Sequence, residues 1–414
     1  MNIYEELESE VRSYARKFPV EFDKARNAIL IDVNGNEYID FFAGAGALNF
    51  GHNNPEIKKC ILEYLAEDNV IHALDMHTKA KHELLECIKN NLFIPKNLSY
   101  KVMFCGSTGT NANEAALKLA RKVKGREKVI SCTGAFHGMT LGSLALTSDS
   151  YSRNGAGVPL ENVTFIPYDS NTGLDYLEAM LTDDHSGFDK PSALFLETVQ
   201  AEGGINVARV EWLKRIEQIC HDNDILLVVD DIQVGVGRTG SFFSFERAGI
   251  IPDMVTLSKS ISGFGLPMSL LLIKPEYDIF GPGEHNGTWR GNQLAFVGSK
   301  AGIEYYLDHN MDTMVKSKER FIESLLKENV LSIDRRLKVR GIGMIWGIDY
   351  SAVSMDTAKK IASECFKNGL IIELAGRGDS VLKILPPLTI EDDNIRKGIS
   401  IIADATRKVL ADCK

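Results

Sequence analysis

Lys259 lies in Ser258-Lys259-Ser260, directly after the apolar run Met254-Val255-Thr256-Leu257 and ahead of Gly263-Phe264-Gly265-Leu266-Pro267. Upstream, the apolar run Ile225 to Val229 ends on Asp230. A lysine and an acid at the ends of two successive core strands can grip one planar cofactor between them. Pyridoxal phosphate needs such a pair: an amine to hold its aldehyde covalently, and a carboxylate to keep its ring nitrogen protonated. The plainer alternative for Lys259 is a solvated surface lysine, which most lysines are. Its neighbours argue against that.

Cys105-Gly106-Ser107-Thr108-Gly109-Thr110-Asn111 connects a strand to a helix. Asn111 and Glu114 have capping-box spacing, which predicts a helix starting near Ala112. A small-residue loop entering a helix offers free backbone N–H groups and the positive end of the helix dipole, a ready phosphate site. Ala135-Phe136-His137-Gly138 follows the next strand, and an aromatic there could stack on a planar ring, although a core Phe is the commoner reading. In Asp230-Asp231-Ile232-Gln233, two acids and a glutamine stand at a strand's carboxyl end, where open α/β sheets bind ligands. Gly235-Val236-Gly237-Arg238-Thr239-Gly240 fits G-x-G-x-x-G and would suggest a nicotinamide-dependent oxidoreductase. Its glycines begin several residues past the strand, behind two acids that repel a pyrophosphate, and no helix start follows. His72, His77 and His82 do not share one helical face, so no metal site is expected there.

These residues need a scaffold that aligns strand ends. Between Lys101 and Ile273 short apolar strands recur at Val102–Phe104, Val129–Ser131, Val163–Ile166, Ala193–Leu196, Ile225–Val229, Met254–Leu257 and Leu270–Ile273. Helical stretches such as Ala112–Lys124 and Glu211–Asp222 separate several of them. That alternation predicts an α/β fold with a mostly parallel sheet covered on both faces. The first stretch, Tyr4 to Lys17, reads as one charged amphipathic helix, and Asn34-Gly35 as a hairpin turn. After about residue 305, long charged helices surround short strands, which predicts a smaller α+β lobe. The expected division is 1–50 (helix and hairpin, part of the small domain), 51–304 (the large cofactor-binding domain) and 305–414 (the C-terminal small domain).

At 414 residues the chain is too long for one ordinary core. A net charge of −9 without a basic cluster argues against nucleic acid. No apolar run approaches membrane-spanning length, and the acidic start is unlike a signal peptide. The seven cysteines are odd in number and form no C-x-x-C pair, which predicts reduced thiols in a cytoplasmic protein.

Taken together the segments resemble the class III (ω-) aminotransferases, pyridoxal-phosphate enzymes of fold type I. The resemblance rests on Asp230-Asp231-Ile232-Gln233-Val234-Gly235-x-Gly237-Arg238-Thr239-Gly240, then Pro252-Asp253, Lys259 and Gly265-x-Pro267, and it runs from about Asp32 to Thr389. It implies that Lys259 anchors the cofactor, Asp230 pairs with the ring nitrogen and Gln233 contacts the phenolate. It implies further that Phe136 stacks on the ring and that Gly109 and Thr110 bind phosphate through backbone amides. Thr288 resembles the threonine that reaches the neighbouring subunit's phosphate, so the resemblance implies a homodimer that shares its active sites, with higher assembly open.

Phe41-Phe42-Ala43-Gly44-Ala45-Gly46, Gly138-Met139-Thr140-Leu141-Gly142 and Gly283-Glu284-His285-Asn286-Gly287-Thr288 look like the branch of the family acting on 2,4-diaminobutyrate and 2-oxoglutarate, on the route to ectoine. Branches using ornithine, acetylornithine or 4-aminobutyrate usually carry arginine where this chain has Met139 and Lys383. Bidentate carboxylate recognition by arginine is absent at both positions. Lys383 precedes Pro386-Pro387, and Glu202 resembles the glutamate that pairs with the usual arginine. The expectation is a Glu202–Lys383 pair that opens for a diacid substrate and closes for a diamine.

Overall fold

The computed structural model describes residues 3–411. Among these, the sheet that carries the site has seven strands. From one edge they are Lys101–Gly106, Ser269–Ile273, Met254–Leu257, Leu226–Asp230, Ala193–Leu196, Val129–Cys132 and Val163–Ile166. Ser269–Ile273 runs antiparallel to both neighbours, and the rest run parallel. Every residue of the four strands from Ser269–Ile273 to Ala193–Leu196 is buried, as apolar runs covered on both faces require. The strand period of two sorts their side chains. Leu226 and Val228 join Ala112, Ala116 and Leu119 of the helix Gly109–Lys124 in one core layer. Leu227 and Val229 face the other way, into the layer holding Trp212, Leu213 and Ile216 of the helix Val210–Asp222.

A smaller antiparallel sheet, Lys338–Ile342, Ile345–Asp349, Val381–Ile384 and Glu373–Ala375, lies behind Glu202, which its Lys383 contacts. The helices Thr357–Lys367 and Asp392–Ala411 cover it with Ile361, Cys365, Ile399 and Ile402. Phe22–Arg26, Ile29–Asp32 and Glu37–Asp40 form a third sheet, closed by the C-terminal strand Leu370–Ile371. The N-terminal hairpin therefore reaches the site from the C-terminal side of the molecule.

Two local expectations need correction. The stretch Tyr4 to Lys17 is two short helices, Ile3–Leu7 and Tyr14–Lys17. The helix expected from Ala112 begins three residues earlier, at Gly109. Its N-cap is Thr108, whose backbone N–H donates to Asn111 Oδ1 at 3.2 Å, so Asn111 closes the first turn and does not precede it. The hairpin expected at Asn34-Gly35 is present, joining Ile29–Asp32 to Glu37–Asp40, with Gly35 at φ +84°. Asn34 and Asn36 donate backbone N–H groups to Asp32 Oδ1, and this side-chain cap sets the turn.

The glycine motif at 235–240 is a turn-rich loop followed by a short 3-10 helix, Ser244–Ala248, and not by the α-helix start that a dinucleotide fingerprint requires. Fully buried Arg238 crosses from it to the Met344 carbonyl at 2.9 Å and also bonds the Pro386 carbonyl and Asn49 Oδ1. The motif thus braces the loop after Leu226–Asp230 against the turn at Met344 and the segments at Pro386 and Asn49. Cys60, Cys87, Cys105, Cys132, Cys220 and Cys365 are free thiols, and Cys413 lies outside the described residues. No described helix is long and apolar enough to cross a membrane.

Candidate active site

The carboxyl ends of the central strands open onto a cavity of ≈ 140 Å³. Lys259, Asp230, Gly109, Thr110, Phe136, Gln233 and Glu202 all border it, together with His137, Gly138 and Glu197. Thr288 and Lys383 do not. Thr288 stands on an exposed loop, and Lys383 lies behind Glu202.

Asp230 ends its strand 5% exposed. Its Oδ2 accepts from His137 Nδ1 at 2.7 Å and from Asn113 Nδ2 at 2.8 Å, and its Oδ1 accepts from the Ile232 N–H at 3.1 Å. Three donors fix the orientation of the carboxylate. A carboxylate only accepts, so the His137 proton sits on Nδ1. Asn113 also donates to the His137 carbonyl at 2.8 Å, which ties the phosphate-side helix to the loop after the next strand.

Lys259 follows Met254–Leu257 with φ +54°, a left-handed conformation that costs a non-glycine residue about 1–2 kcal/mol. Its Nζ donates to the Ala45 carbonyl at 2.9 Å, and so does Gln233 Nε2 at 2.9 Å. Burial pulls the Lys259 pKa below the ordinary lysine value, with Glu202 partly opposing. A lysine so placed gives up its proton more readily and becomes the nucleophilic neutral amine. The acceptor is built from an unusual turn. Ala43, Gly44, Ala45 and Gly46 all have positive φ, between 49° and 82°. Asp40 Oδ1 holds this turn by accepting from the N–H groups of Phe42 and Ala43, each at 2.8 Å, and Asp40 Oδ2 lies 2.8 Å from His52 Nε2.

Gly109 and Thr110 open a sixteen-residue helix whose first N–H groups lack intrahelical partners. Gly138, at φ +128°, lies so close that an added Cβ would fall 2.7 Å from Thr110 Cβ. The loop carrying Phe136 thus presses on the helix start. Phe136 is 36% exposed at the cavity, and its N–H donates to Glu197 Oε2 at 3.3 Å. Burial, with Asp230 nearby, raises the Glu197 carboxyl well above the usual carboxylate range.

Behind Glu202, Lys383 is fully buried. Its Nζ is 2.5 Å from Glu202 Oε1 and 2.8 Å from Glu373 Oε2. Burial alone would lower its pKa, but Glu202 and Glu373 outweigh it and hold the ammonium above its ordinary value.

Sequence reasoning missed His137 and Asn113 as partners of Asp230, the Ala45 carbonyl, Glu197, and Glu373 beside Lys383. His137 and Glu197 had a usable signal, since each stands at or just past the end of a core strand. Asn113 and Glu373 had none, because only the tertiary fold brings them to their partners.

The cavity brings together a nucleophilic amine, a fixed carboxylate, a half-exposed aromatic face and an unsatisfied helix N-terminus. An aldehyde, a cationic ring nitrogen and a phosphate on one planar molecule would meet all four. The profile of the family "Aminotransferase class-III" matches residues 11–406. The chain is 52% identical to the diaminobutyrate–2-oxoglutarate transaminase of Bordetella parapertussis, over 100% of this chain and 96% of that one. It is 49% identical to the enzyme of that name from Marinococcus halophilus, over 100% and 97%. The ornithine aminotransferase of Toxoplasma gondii superposes with a TM-score of 0.88 at 25% identity, covering 99% of this chain and 94% of that one. The chain therefore belongs to the class III aminotransferases, pyridoxal-phosphate enzymes of the fold type I α/β architecture.

Proposed function

We propose that the enzyme interconverts L-2,4-diaminobutyrate and 2-oxoglutarate with L-aspartate 4-semialdehyde and L-glutamate, as a step toward ectoine. Full-length identity of about half to diaminobutyrate–2-oxoglutarate transaminases carries this reading. A lysine in place of arginine behind Glu202 supports it. A kcat/KM panel of 2,4-diaminobutyrate, ornithine, acetylornithine, 4-aminobutyrate and a polyamine, each with 2-oxoglutarate, tests it. The expected order puts 2,4-diaminobutyrate first, and a preference for any other donor overturns the assignment.

When bound, pyridoxal phosphate supplies an aldehyde to carry the amino group and a ring that draws electrons from the reacting carbon. Lys259 holds the cofactor, yields to the substrate amine, and its Nζ then takes the proton from the amine-bearing carbon. The Ala45 carbonyl gives the freed amine a fixed acceptor and keeps it facing the cavity. Asp230, oriented by its three donors, would pair with a protonated ring nitrogen. Phe136 would cover one face of the ring, and Gln233 would serve the ring's phenolate oxygen. The N–H groups of Gly109 and Thr110 hold the phosphate. Glu202 moves off Lys383 for the α-carboxylate of glutamate or 2-oxoglutarate and returns for the diamine. Lys383→Ala should raise KM for both diacids about tenfold while cofactor remains bound. Unchanged steady-state kinetics with both would mean that their carboxylates bind elsewhere.

The same reading makes the enzyme a homodimer in which Thr288 reaches the partner's phosphate. The surface around Thr288 supports an interface. His72 Nε2 lies 2.9 Å from the Thr288 carbonyl, and the His72 ring meets Trp289 edge-on at 5.2 Å. Val70, Ile71, Met76 and Trp289 are all more than half exposed, an apolar group that a partner would cover. Thr288→Ala should weaken cofactor retention about tenfold, by loss of a hydrogen bond to a charged group. Dialysis of variant and parent side by side measures this. Equal retention, or a fully active native monomer, contradicts the shared site.

A further inference from the structure

Lys383 is a single ammonium between two carboxylates, and the two differ in kind. Glu202 borders the cavity with its side chain 32% exposed. Glu373 is 4% exposed, faces Lys383 directly across the strand pair Glu373–Ala375 and Val381–Ile384, and accepts from the Tyr14 hydroxyl at 2.9 Å on its second oxygen. Tyr14 is held in turn against Phe42, with ring centroids 4.9 Å apart, next to the left-handed turn that carries Ala45. One acid is free to leave the lysine and the other is not.

A guanidinium presents a rigid fork that orients itself on a carboxylate, whereas an ammonium on a four-carbon stem must be aimed from outside. A buried ammonium stripped of its counter-ion is also costly, by several kcal/mol. We propose that Glu373, clamped by Tyr14, is the fixed counter-ion that keeps Lys383 paired and aimed while Glu202 and the substrate carboxylate exchange on it. Lysine can then serve where arginine would otherwise be needed. Glu373 touches neither substrate nor cofactor, so it is a positioning residue. The inference rests on the exchange of Glu202 proposed above.

Single-turnover kinetics of the two half-reactions of the holoenzyme test it. Glu373→Gln keeps the size and one acceptor but removes the charge. It should lower the second-order rate constant with glutamate about tenfold, and that with the diamine by no more than about twofold. Tyr14→Phe leaves both buried acids in place and should shift the same ratio in the same direction, by about threefold. It keeps the test valid should Glu373→Gln fold poorly. Equal losses in both half-reactions would make Glu373 a structural residue and overturn the proposal, as would an unchanged glutamate rate. Lys383→Ala separates the two levels. If it too leaves the glutamate rate unchanged, the exchange itself is wrong. If it slows glutamate while Glu373→Gln and Tyr14→Phe do not, only the role of Glu373 fails.

Discussion

Lys259→Ala is expected to abolish transamination, with turnover falling by about 10⁴-fold or more, because one amine is both the covalent anchor and the proton carrier. Among the described residues its Nζ makes a hydrogen bond only to the Ala45 carbonyl, and its backbone already sits in a strained left-handed conformation. Losing the side chain therefore removes little that holds the fold. Thermal unfolding of the apo protein should stay close to that of the parent, while kcat in the glutamate assay disappears. Near-normal turnover would remove Lys259 from the mechanism.

The second large effect is expected at Asp230. Asp230→Asn removes the carboxylate that His137, Asn113 and the Ile232 N–H orient. Breaking the buried ion pair that Asp230 would make with a protonated ring nitrogen costs about 3–5 kcal/mol, which corresponds to roughly 10²–10⁴-fold in rate when spent in the transition state. The variant should retain cofactor, since the lysine anchor and the helix N-terminus are intact, yet turn over at that reduced rate. The Asn113 and His137 donors would then face an amide, so His137→Asn is expected to slow the enzyme in the same direction and to a smaller extent. An Asp230→Asn rate equal to the parent's would mean that another group serves the ring nitrogen.

Much of the scaffold was legible because the central strands are buried on both faces. Ala193–Leu196 is a continuous apolar run and Met254–Leu257 is broken only by Thr256, both are buried throughout, and their ends coincide with the observed strand ends. Lys259 and Asp230 stood out for the same reason, as polar residues where such runs stop. The first turn of the phosphate-side helix was misplaced because Asn111–Glu114 and Thr108–Asn111 both have capping spacing. Only the observed bond from the Thr108 N–H decides between them. The Ala45 carbonyl was invisible, because a main-chain acceptor leaves no trace in residue type and two alanines do not announce positive φ. Glu373 was invisible for a different reason. It is one acid in a three-residue strand, and its meaning comes from the register that sets it opposite Lys383. Residues that act through long-range pairing are legible only once the pairing is known.

Reduction of the purified holoenzyme with borohydride, followed by digestion and peptide mass spectrometry, tests the central claim most directly. The yellow colour and the activity should be lost together, and a single stable pyridoxyl label should be found on Lys259. A label on any other lysine, or activity that survives complete reduction, would contradict the account.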